Sequence, residues 1–337
     1  MSSINEVTFV GIDVSAKTLD VTVLPSASGK PKRRRFDNDG AAHRALVLWL
    51  NLFAPVHVVC EATGVYHLDL AYALRHADVA LMIVNPRRAK RFIEAQRRNT
   101  QTDGIDADEL AQFAKRMDFV PWKAPSDQAF TVHKLGRAIG QMTKHHTAVS
   151  NRLHAAQATT HTPNSIINAL KRELVFIERE RQLLFNECNA LIAADPDMAN
   201  KLRLLISTPG IAQISAPAIL AELIILPEDA TAKAWTKYAG LDPSSKTSGT
   251  SVHGKTRIAK RGNPRLRSAL FLPALSARSH DPLLKAFADR LIANHKTKLQ
   301  AVVAVQRKLL HSIHAMFKTN SIWNKNRPSN TQKALAG

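Results

Sequence analysis

Apolar residues in the first 120 positions of this chain fall in short, β-branched runs separated by stretches of helical spacing, and from about Ser126 the short runs stop. "VTFVGIDVS", "LDVTVL", "PVHVVCEATG" and "VALMIVNP" read as strands, the first two as a hairpin or as adjacent strands. "AAHRALVLWLNLF", "YHLDLAYALRHAD" and "DADELAQFAKRM" read as helices. Strands alternating with helices specify an α/β layer structure. Beyond Ser126, "DQAFTVHKLGRAIGQMTKHHTAVSNRLHAAQ" and "SIINALKRELVFIERERQLLFNECNALIAA" keep a three-and-four spacing on either side of Pro163. That suits an antiparallel or intermolecular coiled coil, or a helical hairpin packed on the body. "LRLLISTPGIAQISAPAILAEL" then sets a Pro-Gly turn between two helices, as in a helix-hairpin-helix whose turn amides can hold a phosphate. Any tight helix link can use Gly in the same way. The expected division is an α/β domain at 1–125, a long-helix coiled-coil segment at 126–198, a mostly α-helical domain at 199–320 and a polar, frayed tail at 321–337.

Charge narrows the partners. The formal net charge is +20, and from Ala230 to Gly337 there are 20 Lys and Arg against three acids, Asp242, Asp281 and Asp289. An excess gathered in the last third opposes compaction unless a polyanion meets it, and nucleic acid is the default polyanion. With 45% hydrophobic residues and a mean hydropathy of −0.17 the chain reads as globular. No apolar run approaches a membrane span, and the N-terminus lacks the charged-then-apolar pattern of a signal peptide. Two distant cysteines, Cys60 and Cys188, give neither a disulfide framework nor a zinc finger. A cytoplasmic protein with no membrane partner is expected.

Four carboxylates carry the chemistry. Asp13 ends the first apolar run and Glu61 ends the strand "VHVVC", and strand ends are where ligands gather in α/β sheets. Asp103 and Asp106 lie three apart in "QTDGIDADEL", at a helix start. Together they suit hard cations such as Mg²⁺, which takes oxygen ligands and stabilises the charge of phosphoryl transfer. Asp103 equally suits an N-cap with Asp106 in the first turn, and Glu61 could cap the following helix. Asp13, inside an apolar hairpin, is the hardest to explain as structural. Sugar kinases and actin-like ATPases also open on a strand, an Asp and a hairpin. They need a second Asp-Gly phosphate loop and a Gly-rich adenosine loop, and neither is found.

"GIDVSAKTLDV", "CEATGVY", "VNPRRAKRF", "TDGIDADELAQF", "STPGIAQISAPAILAEL" and "YAGLDPSSKTSGTSVHGKTRIAKRGNPRLRSALF" occur in this order. The ordered set, spanning residues 7 to 318, resembles the Piv-like DEDD transposases of bacterial insertion sequences, a family described as bridge-RNA-guided recombinases. The resemblance implies an RNase H-like N-terminal domain of the Holliday-resolvase type. Its metal-binding acids would be Asp13, Glu61, Asp103 and Asp106. It also implies a C-terminal transposase domain whose serine nucleophile, before the Gly of the "SG" pair, is Ser248. Gly104 stands where many relatives carry a larger residue.

Read without the resemblance, "PSSKTSGTS" is a Ser/Gly loop in which Ser244, Ser245, Ser248 and Ser251 are all candidates. A serine needs an activating base or metal, and His253 is the only neighbouring base. The flanking Lys255, Arg257, Lys260, Arg261, Arg265 and Arg267 suit phosphate contacts or a solvated basic loop. With the resemblance, the expectation is a Mg²⁺-dependent DNA recombinase forming a phosphoserine link. By resemblance its partners are donor and target DNA and a structured noncoding guide RNA, and it acts as a homodimer or dimer of dimers. The competing readings are a metal-dependent junction-resolving nuclease that hydrolyses with water, and a non-catalytic nucleic-acid-binding protein whose acids are only caps.

Overall fold

The computed structural model describes residues 7–25, 29–62, 65–96, 106–244, 247–248, 252–253 and 257–324. They form two compact units, divided between Ala124 and Pro125.

The first unit is built on a five-stranded mixed sheet. Its elements are β1 (Thr8–Val14), β2 (Thr18–Leu24), β3 (Lys32–Asp37), α1 (Gly40–Leu50), β4 (Val56–Glu61), α2 (Leu68–His76), β5 (Ala80–Val84), α3 (Pro86–Gln96) and α4 (Ala107–Arg116). The strand order is β3-β2-β1-β4-β5. β1–β2 and β2–β3 are antiparallel, while β1–β4 and β4–β5 are parallel. This mixed sheet and the mostly helical remainder are consistent with the RNase H-like expectation. Val10, Ile12 and Val14 of β1 and Val58 and Cys60 of β4 pack with Leu46, Leu50, Leu70 and Leu74 of α1 and α2 on one face. Val59, Met82 and Val84 pack with Leu110 and Phe113 of α4 on the other.

Two elements of this unit escape the sequence reading. "KRRRFD" forms β3, a strand exposed everywhere but at Phe36. "PRRAKRFIEAQ" forms α3, for which Pro86 is the first residue.

The second unit contains α5 (Asp127–Gln157), α6 (Asn164–Ala194), α7 (Pro196–Ile206), α8 (Ala216–Leu223) and α9 (Ala232–Ala239), followed by two short ladders and four more helices. The ladders are β6 (Pro243–Ser244) with β9 (Arg257–Ile258), and β7 (Thr247–Ser248) with β8 (Val252–His253). The last helices are α10 (Pro264–Ala269), α11 (Phe271–His280), α12 (Pro282–Ala293) and α13 (Lys298–Thr319).

α5 and α6 run antiparallel. Gln128 near the start of α5 donates to the Leu191 carbonyl late in α6, and Arg152 near its end meets Glu173 early in α6. Ala129 and Val132 of α5 and Cys188 and Ile192 of α6 share one core with Leu205, Leu220, Trp235, Leu266 and Ile313. The long helices therefore share a core with the C-terminal helices.

The Pro-Gly turn between α7 and α8 holds Gly210 at φ +83°. A Cβ on Gly210 would lie 2.4 Å from the Pro273 carbonyl, so this glycine serves the close approach of α11. The tail expected to fray from Ser321 is anchored as far as Trp323. Its indole donates to Asp281 at 3.1 Å, and its ring packs on the α11–α13 cluster. Among the described residues no helix is long and apolar enough to cross a membrane.

Candidate active site

In the first unit the candidate acids are organised by the pleat of β1 and β4. Ile12 pairs with Cys60, so Asp13 and Glu61 are the next residues on two adjacent parallel strands and leave the sheet at the same end. Val10, Ile12, Val14 and Cys60 point to the α1–α2 face. By the period of two, Asp13 and Glu61 belong to the opposite face, the one α4 covers.

Gly11 sets how near α4 comes. A Cβ there would stand 2.1 Å from the Ala107 carbonyl oxygen and 2.3 Å from the Ala111 nitrogen. The first turn of α4 therefore lies directly on β1, which brings its N-cap, Asp106, to the strand end that carries Asp13. Asp106 accepts from the Glu109 amide at 2.9 Å, and Glu109 reaches back to the Asp106 amide, a capping box. The helix thus begins at Ala107, three residues later than a reading with Asp103 as its cap. Asp103 lies outside the described residues.

The electrostatics single out Asp13. Burial pushes its carboxyl above the usual carboxylate range, and the neighbouring charges of Asp20 and Asp106 push it the same way against a hydrogen bond from the Val14 amide. Asp20 is a participant the sequence reading missed. It faces Asp13 across the β1–β2 ladder, and Arg35 holds it through two bonds of 2.7 and 2.9 Å. One signal was available: an acid in the middle of the alternating strand "TLDVTVL". Asp108, in the first turn of α4, is paired with Arg33 and bonded to Thr22 at 2.6 Å, and those bonds hold its carboxyl below the usual range.

Among the described residues, no three His, Cys, Asp or Glu side chains come together closely enough to hold a metal ion. Asp13 and Glu61, with Asp106 at the head of α4, share one strand edge without closing into such a cluster. The ionised form of Asp13 is disfavoured there, which a hard divalent cation would reverse.

In the second unit, Ser248 lies on β7, with Ser248 opposite Val252 and Thr247 opposite His253 in the β7–β8 ladder. Ser245, Ser251 and Lys255 lie outside the described residues, and Arg257 is placed in β9.

The foot of this excursion is tightly built. Ala259 donates to the Asp242 carbonyl at 2.8 Å, and Lys260, at φ +54°, donates to the Gly240 carbonyl at 3.2 Å. Gly240 has φ +65°, and a Cβ on Gly262 would lie 2.1 Å from the Tyr238 carbonyl. Turn 238–242 and turn 259–263 are thus packed backbone to backbone.

Beneath them sits Glu222, 3% exposed. Its carboxylate takes Arg137 at 3.1 and 3.3 Å, Asn263 Nδ2 at 2.5 Å and the Tyr238 hydroxyl at 3.4 Å. Asn263 also caps α10, accepting from the Arg265 and Leu266 amides. This network too was missed, because Glu222 reads as one polar residue in the apolar helix "APAILAEL".

Of the basic residues singled out by sequence, Arg261 and Arg265 are exposed and line a cavity of about 520 Å³ beside this foot. Arg267 is turned inward and donates to the Ala239 carbonyl at 2.8 Å, so it closes the C-terminus of α9.

Comparison with known proteins gives two family matches. A model described as a transposase matches residues 10–162. The model of the IS116/IS110/IS902 transposase family matches residues 202–289. The chain is similar to the pilin gene-inverting protein of Moraxella bovis, with 27% identity over 326 residues that cover 94% of this chain and 98% of that protein. The pilin gene-inverting protein of Moraxella lacunata matches with the same identity and coverage. An insertion element IS110 protein of Streptomyces coelicolor is 30% identical over 175 residues, 52% of this chain and 42% of that protein.

Proposed function

We propose that this chain, an enzyme acting on DNA as a transposase or recombinase, is a member of the IS116/IS110/IS902 transposase family and that it cuts and rejoins DNA through a covalent link to Ser248. Asp13, Glu61 and Asp106, with Asp103, are the residues that would hold Mg²⁺. Bound there, the ion supplies charge stabilisation at the phosphodiester under attack. The observation behind this is the shared strand edge: Asp13 and Glu61 leave adjacent parallel strands at the same end, and Gly11 admits the helix headed by Asp106.

The chain's own residues divide the work. Ser248 Oγ forms a bond to phosphorus as one bridging P–O bond of the DNA backbone breaks. The leaving deoxyribose oxygen departs with the electron pair and takes up the proton that the serine gives up. The reverse attack, by a strand-end hydroxyl of the new partner, restores the serine and seals the DNA. The phosphoester energy is kept in the link, so rejoining needs no nucleotide cofactor. Gene inversion, the activity in the names of the Moraxella relatives, requires just such paired cutting and rejoining. Several sites must act together, which an assembly of at least two chains provides, with the antiparallel α5–α6 pair as a coiled-coil contact between copies. Backbone binding by Lys255, Arg257, Lys260, Arg261 and Arg265 carries no sequence information, and pairing with a structured guide RNA supplies it. The Pro-Gly turn of the helix-hairpin-helix-like segment adds a phosphate contact.

The test is a recombination assay with purified protein, a donor carrying the element ends, a target plasmid, and RNA transcribed from the DNA flanking the gene. Recombinant junctions are expected only with protein, RNA and Mg²⁺ together. Junctions formed equally without RNA would remove the guide. Nicking without junctions would assign hydrolysis instead.

A further inference from the structure

Two cavities of the helical unit adjoin one another. One, of about 470 Å³, is lined by residues of α5, α6, α8 and α10, including Arg137, Lys144, Arg181 and Arg265. The other, of about 520 Å³, is lined by residues that include Arg137, Lys237, Arg261 and Arg265. Arg137 and Arg265 belong to both. Six cations from different elements therefore line two cavities that share Arg137 and Arg265. Among the described residues lining them, Glu222 is the sole acid, and its carboxylate is taken up by Arg137, Asn263 and Tyr238; Arg181 is paired on its own helix with Glu178 at 2.7 Å, which leaves an excess of cations around the two cavities. Gathering like charges costs free energy unless an anion meets them. The rigid parts underneath are set for a fixed ligand: Glu222 orients the Arg137 guanidinium, and Asn263 fixes the turn that carries Arg261 and Arg265. Guanidinium groups held in a plane match phosphate oxygens.

We infer that these cavities form one phosphodiester groove, running from Lys144 and Arg181 past Arg137 and Arg265 to Lys237 and Arg261 at the foot of the Ser248 hairpin. The groove deepens the recombinase reading and rests on it: it is the track along which a nucleic-acid backbone is led to the hairpin. Arg137, Lys144, Arg181 and Lys237 lie outside every basic motif near Ser248, and folding alone brings them to Arg261 and Arg265.

The experiment measures equilibrium binding of the full chain to a labelled DNA duplex and, separately, to a single-stranded RNA, over a range of salt in Mg²⁺-free buffer. Lys237→Gln/Arg261→Gln and Lys144→Gln/Arg181→Gln change side chains outside the buried network. Each pair should lower the slope of log K against log salt by about 1.8 on the duplex, or about 1.4 on the single strand, as expected for two lost phosphate contacts. The polymer showing the larger loss is the one the groove holds. Lys296→Gln/Lys298→Gln, an equal charge change on the exposed start of α13, should leave both slopes nearly unchanged. Unchanged slopes for the groove pairs, with wild-type binding and recombination intact, would overturn the groove alone, as would an equal loss in the α13 pair. Wild-type protein that binds neither polymer would overturn the groove and the recombinase reading together.

Discussion

Gly11 and Ala107 meet backbone to backbone: a Cβ on Gly11 would fall 2.1 Å from the Ala107 carbonyl oxygen. No rotamer change relieves such a clash, because both partners are main chain. Gly11→Ala should push α4 off β1, lower stability by about 2–3 kcal/mol and carry Asp106 away from Asp13. Activity should fall even at temperatures where circular dichroism shows the variant folded. A variant with wild-type melting and wild-type cleavage would mean that this contact does not place the site.

Asp13→Asn removes a charge that burial and the charges of Asp20 and Asp106 oppose. The variant should melt at or above the wild-type temperature without metal. Its strand cleavage should drop by about 10³-fold, the equivalent of about 4 kcal/mol of transition-state stabilisation. Lower melting together with retained cleavage would make Asp13 a structural residue.

Glu222 and His133 give the helical unit an acid-sensitive core. Burial lowers the His133 pKa, the Arg137 charge adds to this, and its Nδ1 donates to the Ala221 carbonyl at 2.7 Å. Burial alone would raise the Glu222 pKa, but hydrogen bonds from Arg137 and Asn263 outweigh it and the net shift is downward. Both groups are depressed in the folded state, so their stabilisation is present at high pH and is lost on acidification. The loss should begin near the unfolded His value of about 6.5 and deepen below the unfolded Glu value of about 4.3. His133→Asn should flatten the first part of a denaturation-against-pH curve. Glu222→Ala should cost about 3 kcal/mol at neutral pH, because Arg137 and Asn263 lose their partner.

The two thiols report on the two units separately. Burial pushes Cys60 up to about 12 and Cys188 up to about 11. Neither should react with a maleimide at neutral pH until its unit opens. Cys60 labelling should therefore follow unfolding of the sheet unit, and Cys188 labelling that of the helical unit. Fast labelling of either thiol in native buffer would contradict its burial.

Much of this was legible in the sequence because it rests on local period. The apolar runs of β1, β2, β4 and β5 are short and largely β-branched, as strands are, and α5 and α6 keep helical spacing for 31 residues each. Other features depend on tertiary context. "KRRRFD" reads as a charge run, and it is a strand because an edge strand can leave its basic side chains in water. Arg267 reads as one of six phosphate contacts, yet the fold turns it toward the Ala239 carbonyl. Asp20 and Glu222 read as ordinary polar residues, and their neighbours arrive from 15 to 85 positions away. The position of Ser248 was named by resemblance, since four serines in one Ser/Gly loop are indistinguishable by composition.

The central claim is the covalent link at Ser248. Protein, RNA and donor DNA carrying a phosphate that cannot be rejoined should be incubated with Mg²⁺, denatured, digested and analysed by mass spectrometry. The nucleotide is expected on the peptide containing Ser248, and on no peptide when Ser248→Ala protein is used, although that protein should bind RNA and DNA like the wild type. A nucleotide on Ser244, Ser251 or Tyr238, or full recombination by the Ser248→Ala protein, would contradict the assignment. Mg²⁺-dependent cleavage with no adduct on any residue would place the chain among the hydrolytic nucleases.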